Sequence, residues 1–454
     1  MKQPKLTGYR SRIINSTSPT EVEDIRDGLL VVNETGRIVS CGPFKTPHPL
    51  PSPLRGEGEG EGGRKYFRGK VVDLRRHLII PGLVDCHLHL PQLDCRGKHG
   101  ATLLDWLNRY IFPAEKSFKD IRVVDDVGKR FFKKLILNGT TTAAIYITVH
   151  ASATDHAFKL AKACGVRAII GKVMMDQNSP DGLKEDTTKS VKQSEELAAK
   201  WHGAAGGRLR YAFTPRFAPT CSKDLLSEVG KLVQKTGTYL QSHIAETKEE
   251  NEKVKELFSD YPDPFSVFEK TGCAGPKTIL GHAIYLSDDE YRRMAATGTK
   301  IAHCPTSNFF LKSGWMPVSR VEKAGVTYGL GTDVGAGTSM SLFTEMRHTD
   351  FTQLETTISP VKALYLATLG GAKTLSMEAE IGSFEAGKYA DFLELDIRQI
   401  DYHYRLSELT TDEVLSLLMY RGDGRVVQST YVAGKKLDVD ALKLRRRIPH
   451  GFHF

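Results

Sequence analysis

Between residues 81 and 375, short apolar runs alternate with segments of helical periodicity. The runs TTTAAIYITV, VRAIIGKVMM, RLRYAFTPRF, TYLQSHI, KTILGHA, TKIAHC and VTYGLGTD are rich in β-branched and aromatic residues. Several are apolar throughout, as expected of parallel strands buried on both faces. Between them, VVDDVGKRFFKKLILNG repeats Val124, Val127, Phe131, Leu135 and Ile136 near helical spacing and reaches Gly139, which is placed to end the helix. SKDLLSEVGKLVQKTG predicts a helix from an N-cap at Ser222 to Gly237. With LIIPGLVDCH counted first, eight strands alternate with helices, which predicts an α/β fold of the TIM-like (β/α)8 barrel type. The alternative is an open doubly wound sheet, but no Gly-rich phosphate fingerprint follows a first strand.

Both ends of the chain carry a different pattern. YRSRIINS, GLLVVNETGRIVSCG and KVVDLRRHLIIPG precede the alternating region, and IGSFEAGKYADFLELDI and RVVQSTYVAGKKL follow it. These are short β-rich runs broken by glycine turns, and NETGR reads as a hairpin turn. The ends are expected to build one small β-sandwich domain. The organisation expected is therefore 1–80 for its N-terminal part, 81–375 for the catalytic barrel, and 376–454 for its C-terminal part and tail. Residues 45–65, KTPHPLPSPLRGEGEGEGGRK, form a low-complexity loop with almost no large apolar side chains to fold around.

A length of 454 residues, 40% hydrophobic and 26% charged, suits a globular protein with a sizeable core. No apolar run approaches the roughly 18 residues of a membrane span. The opening MKQPKLTGYRSRIINS has no continuous apolar core, so no secretory leader is expected. The seven cysteines are scattered and include no CxxC, which argues against a disulfide framework and fits a reducing cytoplasm. The net charge of +9 is divided between KLRRR at Lys443–Arg447 and helical segments such as GKRFFKK. That is a solvated basic surface rather than the single stripe of a nucleic-acid binder.

The polar residues at the strand ends are what single out a chemistry, because barrel active sites gather there. In PGLVDCHLHLPQ, His87 and His89 point to one face of the first strand. An isolated pair of this kind is more often merely solvated or hydrogen-bonded. Here Arg216 and Phe217 end the fourth strand, His243 ends the fifth with Glu246 three residues on, and His282, His303 and Asp333 end the sixth, seventh and eighth. Three imidazoles and a carboxylate suit Zn²⁺ or Fe²⁺, which accept nitrogen and oxygen together. Such a metal lowers the pKa of a bound water from about 15.7 toward 7. Glu246 and Asp333 are placed to give and take the protons, help worth about 10²–10⁴-fold in rate.

PGLVDCHLHLPQ, SHIAET, GHAIYLSDDE, HCPTSN and GLGTDVGAG, in that order, resemble the metal-dependent amidohydrolase superfamily. VDCHLHLPQ, LLDWLNRYIFPAE, NGTTTA, GKVMMD, TPRFAPT, HCPTSNFFLKSG and LATLGGAKTL are similar, more narrowly, to its guanine deaminase branch. The resemblance runs from about residue 66 to 435. It implies one Zn²⁺ per chain held by His87, His89, His243 and Asp333. It implies Glu246 as the proton shuttle to a purine ring nitrogen, and Asp333 as handler of the water's proton. His282 would help polarise the attacked carbon, while Gln92, Arg216 and Phe217 would hold the base. Guanine and water are the implied substrates, and a cytoplasmic homodimer is the implied state. Cys86 stands where relatives often have Thr, and it faces away from His87 and His89, so it reads as packing. Cys304, after His303, reads as structural.

Two rivals remain at this point. One is an amidohydrolase acting on adenine-type or triazine rings or on a cyclic amide, which the metal residues alone do not exclude. A binuclear enzyme with a carboxylated lysine would need Lys at the fourth strand end, where Arg216 stands. The other is a barrel that has lost catalysis and serves as a scaffold. Its mark would be a missing ligand or shuttle, and none is missing.

Overall fold

The computed structural model describes residues 5–44, 69–100 and 103–443. The low-complexity loop expected at 45–65 and most of the basic KLRRR tail lie outside the described residues. Sixteen strands are described. At the N-terminal end lie β1 (Thr7–Ser16), β2 (Val22–Val32), β3 (Ile38–Pro43) and β4 (Lys70–Pro81). The middle holds β5 (Leu83–His89), β6 (Thr140–Tyr146), β7 (Arg167–Gly171), β8 (Val173–Met174), β9 (Leu209–Pro215), β10 (Tyr239–Ile244), β11 (Thr278–His282), β12 (Lys300–His303) and β13 (Tyr328–Leu330). The C-terminal end adds β14 (Phe392–Leu395), β15 (Val427–Val432) and β16 (Lys435–Lys436).

The middle strands form a parallel sheet in the order β13-β12-β11-β10-β9-β7-β6-β5, with β8 paired to β9. The sheet nearly closes on itself. The Asp333 N–H donates to the His87 carbonyl at 2.8 Å, and the His89 N–H donates to the Val334 carbonyl at 2.9 Å. First and last strands therefore meet at their C-terminal ends, as a barrel requires. Alternation in the sequence explains the rest. The helix Ile121–Leu137 turns Val124, Phe131, Phe132, Leu135 and Ile136 onto the strands. It begins at Asp120, whose side chain accepts from the Arg122 N–H, and is followed by Gly139 at φ 80°, a left-handed position that suits glycine. The helix Lys223–Thr236 starts at Ser222 and stops at Gly237, as its sequence predicts.

The lower end of the barrel is filled by an apolar cluster that includes Val84, Cys86, Ala144, Ile169, Ala212, Ile279 and Ala302, joined by Ala372, Leu375 and Met377. Cys86 is accordingly core. Filling that end leaves the upper mouth as the place for a cavity.

The chain ends come together in one seven-stranded mixed sheet, β16-β15-β14-β4-β1-β2-β3, in which β1 and β4 run parallel and the other pairs antiparallel. One reading of the sequence changes here. LIIPGLVDCH is not a single barrel strand: its first half belongs to β4 of the small sheet and its second half is β5. Gly82 is the corner, where a Cβ would lie 2.3 Å from Thr141 Oγ1. A side chain there would collide with Thr141 of β6.

Candidate metal centre

His87 and His89 end β5, His243 lies in β10, and Asp333 follows β13. Their ligand atoms converge. His89 Nε2 lies 3.3 Å from His87 Nε2, 3.2 Å from His243 Nε2 and 3.3 Å from Asp333 Oδ1. His87 Nε2 lies 3.4 Å from Asp333 Oδ1. One ring proton on His89 cannot serve three such neighbours, so hydrogen bonding does not explain the cluster. A small cation shared by these donors does. Two ligand atoms about 2.0–2.2 Å from one ion, at angles of roughly 90–110°, lie about 2.8–3.6 Å apart. The donor set therefore fits a small borderline cation, and His87, His89 and Asp333 also form a buried group able to hold a metal.

Neighbouring groups set the ligands' protonation. His243 Nδ1 donates to the Arg216 carbonyl at 2.6 Å, which leaves the Nε2 lone pair free. Burial pulls His87 down to about 4 and His243 well below its usual range, so both imidazoles are neutral at pH 7. Burial alone would raise the Asp333 carboxyl, but the imidazoles of His87 and His89 hold it well below the usual range. Asp85 ties the ends of the barrel together beneath the site. It accepts from the His87 N–H at 3.2 Å, the Thr332 N–H at 3.0 Å and the Thr332 hydroxyl at 2.6 Å. Tyr146 supplies an aromatic floor, its ring centroid 4.6 Å from each of His87 and His89 and 5.0 Å from His243. Asp333, His282, Ala245 and Ala283 all have positive φ, and such strained backbone clusters at functional sites.

Two acid–base candidates face this centre. His282 Nδ1 donates to Asn308 Oδ1 at 2.8 Å, and its Nε2 lies 3.6 Å from Glu246 Oε2 and 4.0 Å from Asp333 Oδ2. Burial lowers the His282 pKa, but Glu246 and Asp333 outweigh it and the net shift is upward. The Ser313 hydroxyl donates to Glu246 Oε1 at 3.0 Å, and the Ser307 hydroxyl to Asp333 Oδ2 at 2.6 Å. Glu250 accepts from the backbone N–H groups of Ala245 and Glu246, fixing the loop that carries the shuttle candidate. Burial, aided by Glu246, pushes the Glu250 carboxyl up to about 7.

Arg216, just past β9, and Phe217 line the same cavity of about 350 Å³, along with His89, Gln92, His243, Glu246, His282 and Asp333. That volume falls within the range of about 300–1,000 Å³ usual for small-molecule sites. Trp106, Phe112 and Leu311 give it apolar walls. Arg216 Nη1 bonds both Glu115 oxygens, at 2.7 and 2.6 Å. The Gln92 amide is oriented on both sides: its Nε2 donates to Glu115 Oε1 at 3.0 Å, and its Oε1 accepts from the Gly335 N–H at 3.2 Å.

Nine of the ten residues singled out in the sequence thus border one cavity or the candidate metal group. His303 stands apart from it. Both its ring nitrogens are buried without a partner, and burial, then His282, draws its pKa down to about 3. Sequence reasoning missed Glu115, Tyr146, Asn308, Ser307 and Ser313. Glu115 and Asn308 lie inside the quoted stretches LLDWLNRYIFPAE and HCPTSN, but nothing in those letters names their partners.

Residues 78–437 match the model of the Amidohydrolase family. The chain is 36% identical over 420 residues to the guanine deaminase of Escherichia coli (strain K12), covering 90% of this chain and 91% of that protein. It is 33% identical over 453 residues to the guanine deaminase of Homo sapiens, covering 94% and 96%. Its fold superposes on the crystal structure of guanine deaminase from C. acetobutylicum, which has guanine bound in its active site. The TM-score is 0.86 at 30% identity, over 96% of this chain and 100% of that one.

Proposed function

The chain belongs to the amidohydrolase family, and from that premise we propose that it hydrolyses guanine to xanthine and ammonia. The observation that carries the reading is the opposition, across one cavity, of four converging metal-ligand atoms and a buried guanidinium. His87, His89, His243 and Asp333 would hold one Zn²⁺. When bound, the ion makes water acidic enough to attack at neutral pH. Arg216 and Gln92 orient the base by its edge, and Phe217 walls the ring. Glu246 carries one proton of the water to the ring nitrogen as the water adds to the carbon bearing the amine. Asp333 takes the other and passes it to the departing nitrogen. The carbon–nitrogen bond breaks, ammonia leaves and xanthine remains. His282, held by Asn308, faces both carboxylates and polarises the attacked centre.

Loss of guanine absorbance and release of ammonia, measured with and without a chelator, tests this reading. Guanine should turn over and adenine should lag by roughly 10⁴-fold, because adenine offers Arg216 no carbonyl and leaves its donors unpaired. Turnover of adenine, cytosine or triazines in preference to guanine would refute it, as would full activity in metal-free protein. The same reading carries a homodimer in the cytoplasm. All seven cysteines are free, in keeping with a reducing compartment. Among the described residues, no helix is long and apolar enough to cross a membrane. Light scattering on the purified protein tests the dimer.

A further inference from the structure

Glu115 lies behind the cavity rather than in it. It is fully buried on the short helix Phe112–Ser117. We propose that Glu115 is a positioning residue that makes the Arg216 clamp select a neutral ring carbonyl over an anionic base. The inference rests on the guanine reading above.

A lone guanidinium in a cavity of low dielectric would attract any anion, since charge attraction scales inversely with the effective dielectric. A carbonyl oxygen needs N–H donors, not net charge. Glu115 separates the two properties. Its two bonds to Arg216 both fall on Nη1, which leaves Nη2 and Nε for a ligand. Its negative charge cancels the guanidinium at the shortest distance available, 2.6 Å. The same carboxylate takes the Gln92 amide donor, so both base-holding side chains are set by one group.

Among the described residues that line the cavity, Arg216 is the only Lys or Arg. Across the cavity stand the carboxyls of Glu246, Glu250 and Asp333 and the imidazoles of the metal group. Behind Glu115 lie Cys95 and His150, whose ionisation it influences. The substrate of the proposed reaction is a neutral base. The product carries a second carbonyl, which acidifies its ring N–H groups, so it ionises in mildly alkaline solution. A clamp without net charge holds the first through its N–H donors and offers the ionised form of the second no charge attraction, while the carboxyls across the cavity oppose it.

The test is equilibrium binding of xanthine to metal-loaded protein at about pH 6 and about pH 9, for wild type, Glu115→Gln and Glu115→Asp. At about pH 9, Glu115→Gln should bind xanthine about tenfold or more tightly than wild type, because the guanidinium is then uncompensated. At about pH 6 the gain should stay below about threefold, and Glu115→Asp should behave as wild type. A gain equal at both pH values, no gain at all, or an Asp variant matching the Gln variant overturns the proposal. If Glu115→Gln does not fold, wild type decides. Its xanthine affinity must fall between the two pH values, and a constant or rising affinity is a refutation. A wild-type protein that leaves guanine intact instead overturns the functional reading, and the inference with it. Guanine turnover without the pH-dependent gain overturns only the role of Glu115.

Discussion

Replacing Glu246 by Gln removes proton transfer and the charge that raises His282 and Glu250, and leaves the candidate metal ligands in place. The amide is close in size to the carboxylate, and its oxygen keeps the Ser313 hydroxyl bond, 3.0 Å long in the native protein. The four short separations that define the ion's cage, 3.2–3.4 Å, involve only His87, His89, His243 and Asp333. Metal content should therefore stay at one per chain, and stability should change by less than about 1 kcal/mol, the scale of one net hydrogen bond. What disappears is a base able to carry a proton from water to the ring. General acid–base help is worth about 10²–10⁴-fold. At 1.36 kcal/mol per decade that is about 2.7–5.4 kcal/mol of barrier. The loss should fall on kcat with KM little changed, because Gln92, Arg216 and Phe217 are untouched. The assay is guanine absorbance under saturating substrate, with metal analysis on the same sample. A kcat within about threefold of wild type, with metal retained, would refute the shuttle assignment.

Two further outcomes follow from named contacts. His243→Ala removes one corner of the cage, so the purified variant should hold less than about a tenth of the native metal and show no measurable turnover, whereas chelated wild type should recover when zinc is returned; metal analysis before and after reloading decides. Glu345 is fully buried, with one oxygen accepting from the Thr306 N–H and the other unpartnered, and burial pushes its carboxyl up from 4.5 to about 8. The folded state then keeps a proton that the unfolded state releases, so this group costs stability as pH rises from about 4.5 and the cost levels off above about 8. The melting temperature of Glu345→Gln should exceed that of wild type by a margin that grows across that window, and a margin independent of pH would contradict the assignment.

The barrel was legible because its strands are short and several are apolar throughout, as parallel strands buried on both faces tend to be. The residues of the candidate metal centre were brought together for a related reason: the fold gathers the C-terminal ends of the strands at one mouth, so position in the run predicts position in space. What the runs conceal is where a strand stops. LIIPGLVDCH looks continuous, but at Gly82, where Thr141 leaves no room for a side chain, the chain passes from the small sheet to the barrel. VRAIIGKVMM likewise breaks into β7 and β8 at Lys172, whose ammonium turns inward to Glu185 and Ser190. Glu115 was illegible for a different reason. Its partner Arg216 lies 101 residues away along the chain, and local periodicity carries no information about which buried acid a distant guanidinium will meet.

Asp85 and the backbone pair at His87 and Asp333 join the first rung of the barrel to the last. During synthesis, therefore, His87, His89 and His243 leave the ribosome well before the segment that finishes the cage. An early fragment has three imidazoles and nowhere to fix them, and loop-closure entropy over so long an intervening chain works against premature assembly. On the proposed ligand set, ion capture is tied to completion of the fold, and a chain truncated before Asp333 should be inert rather than weakly active.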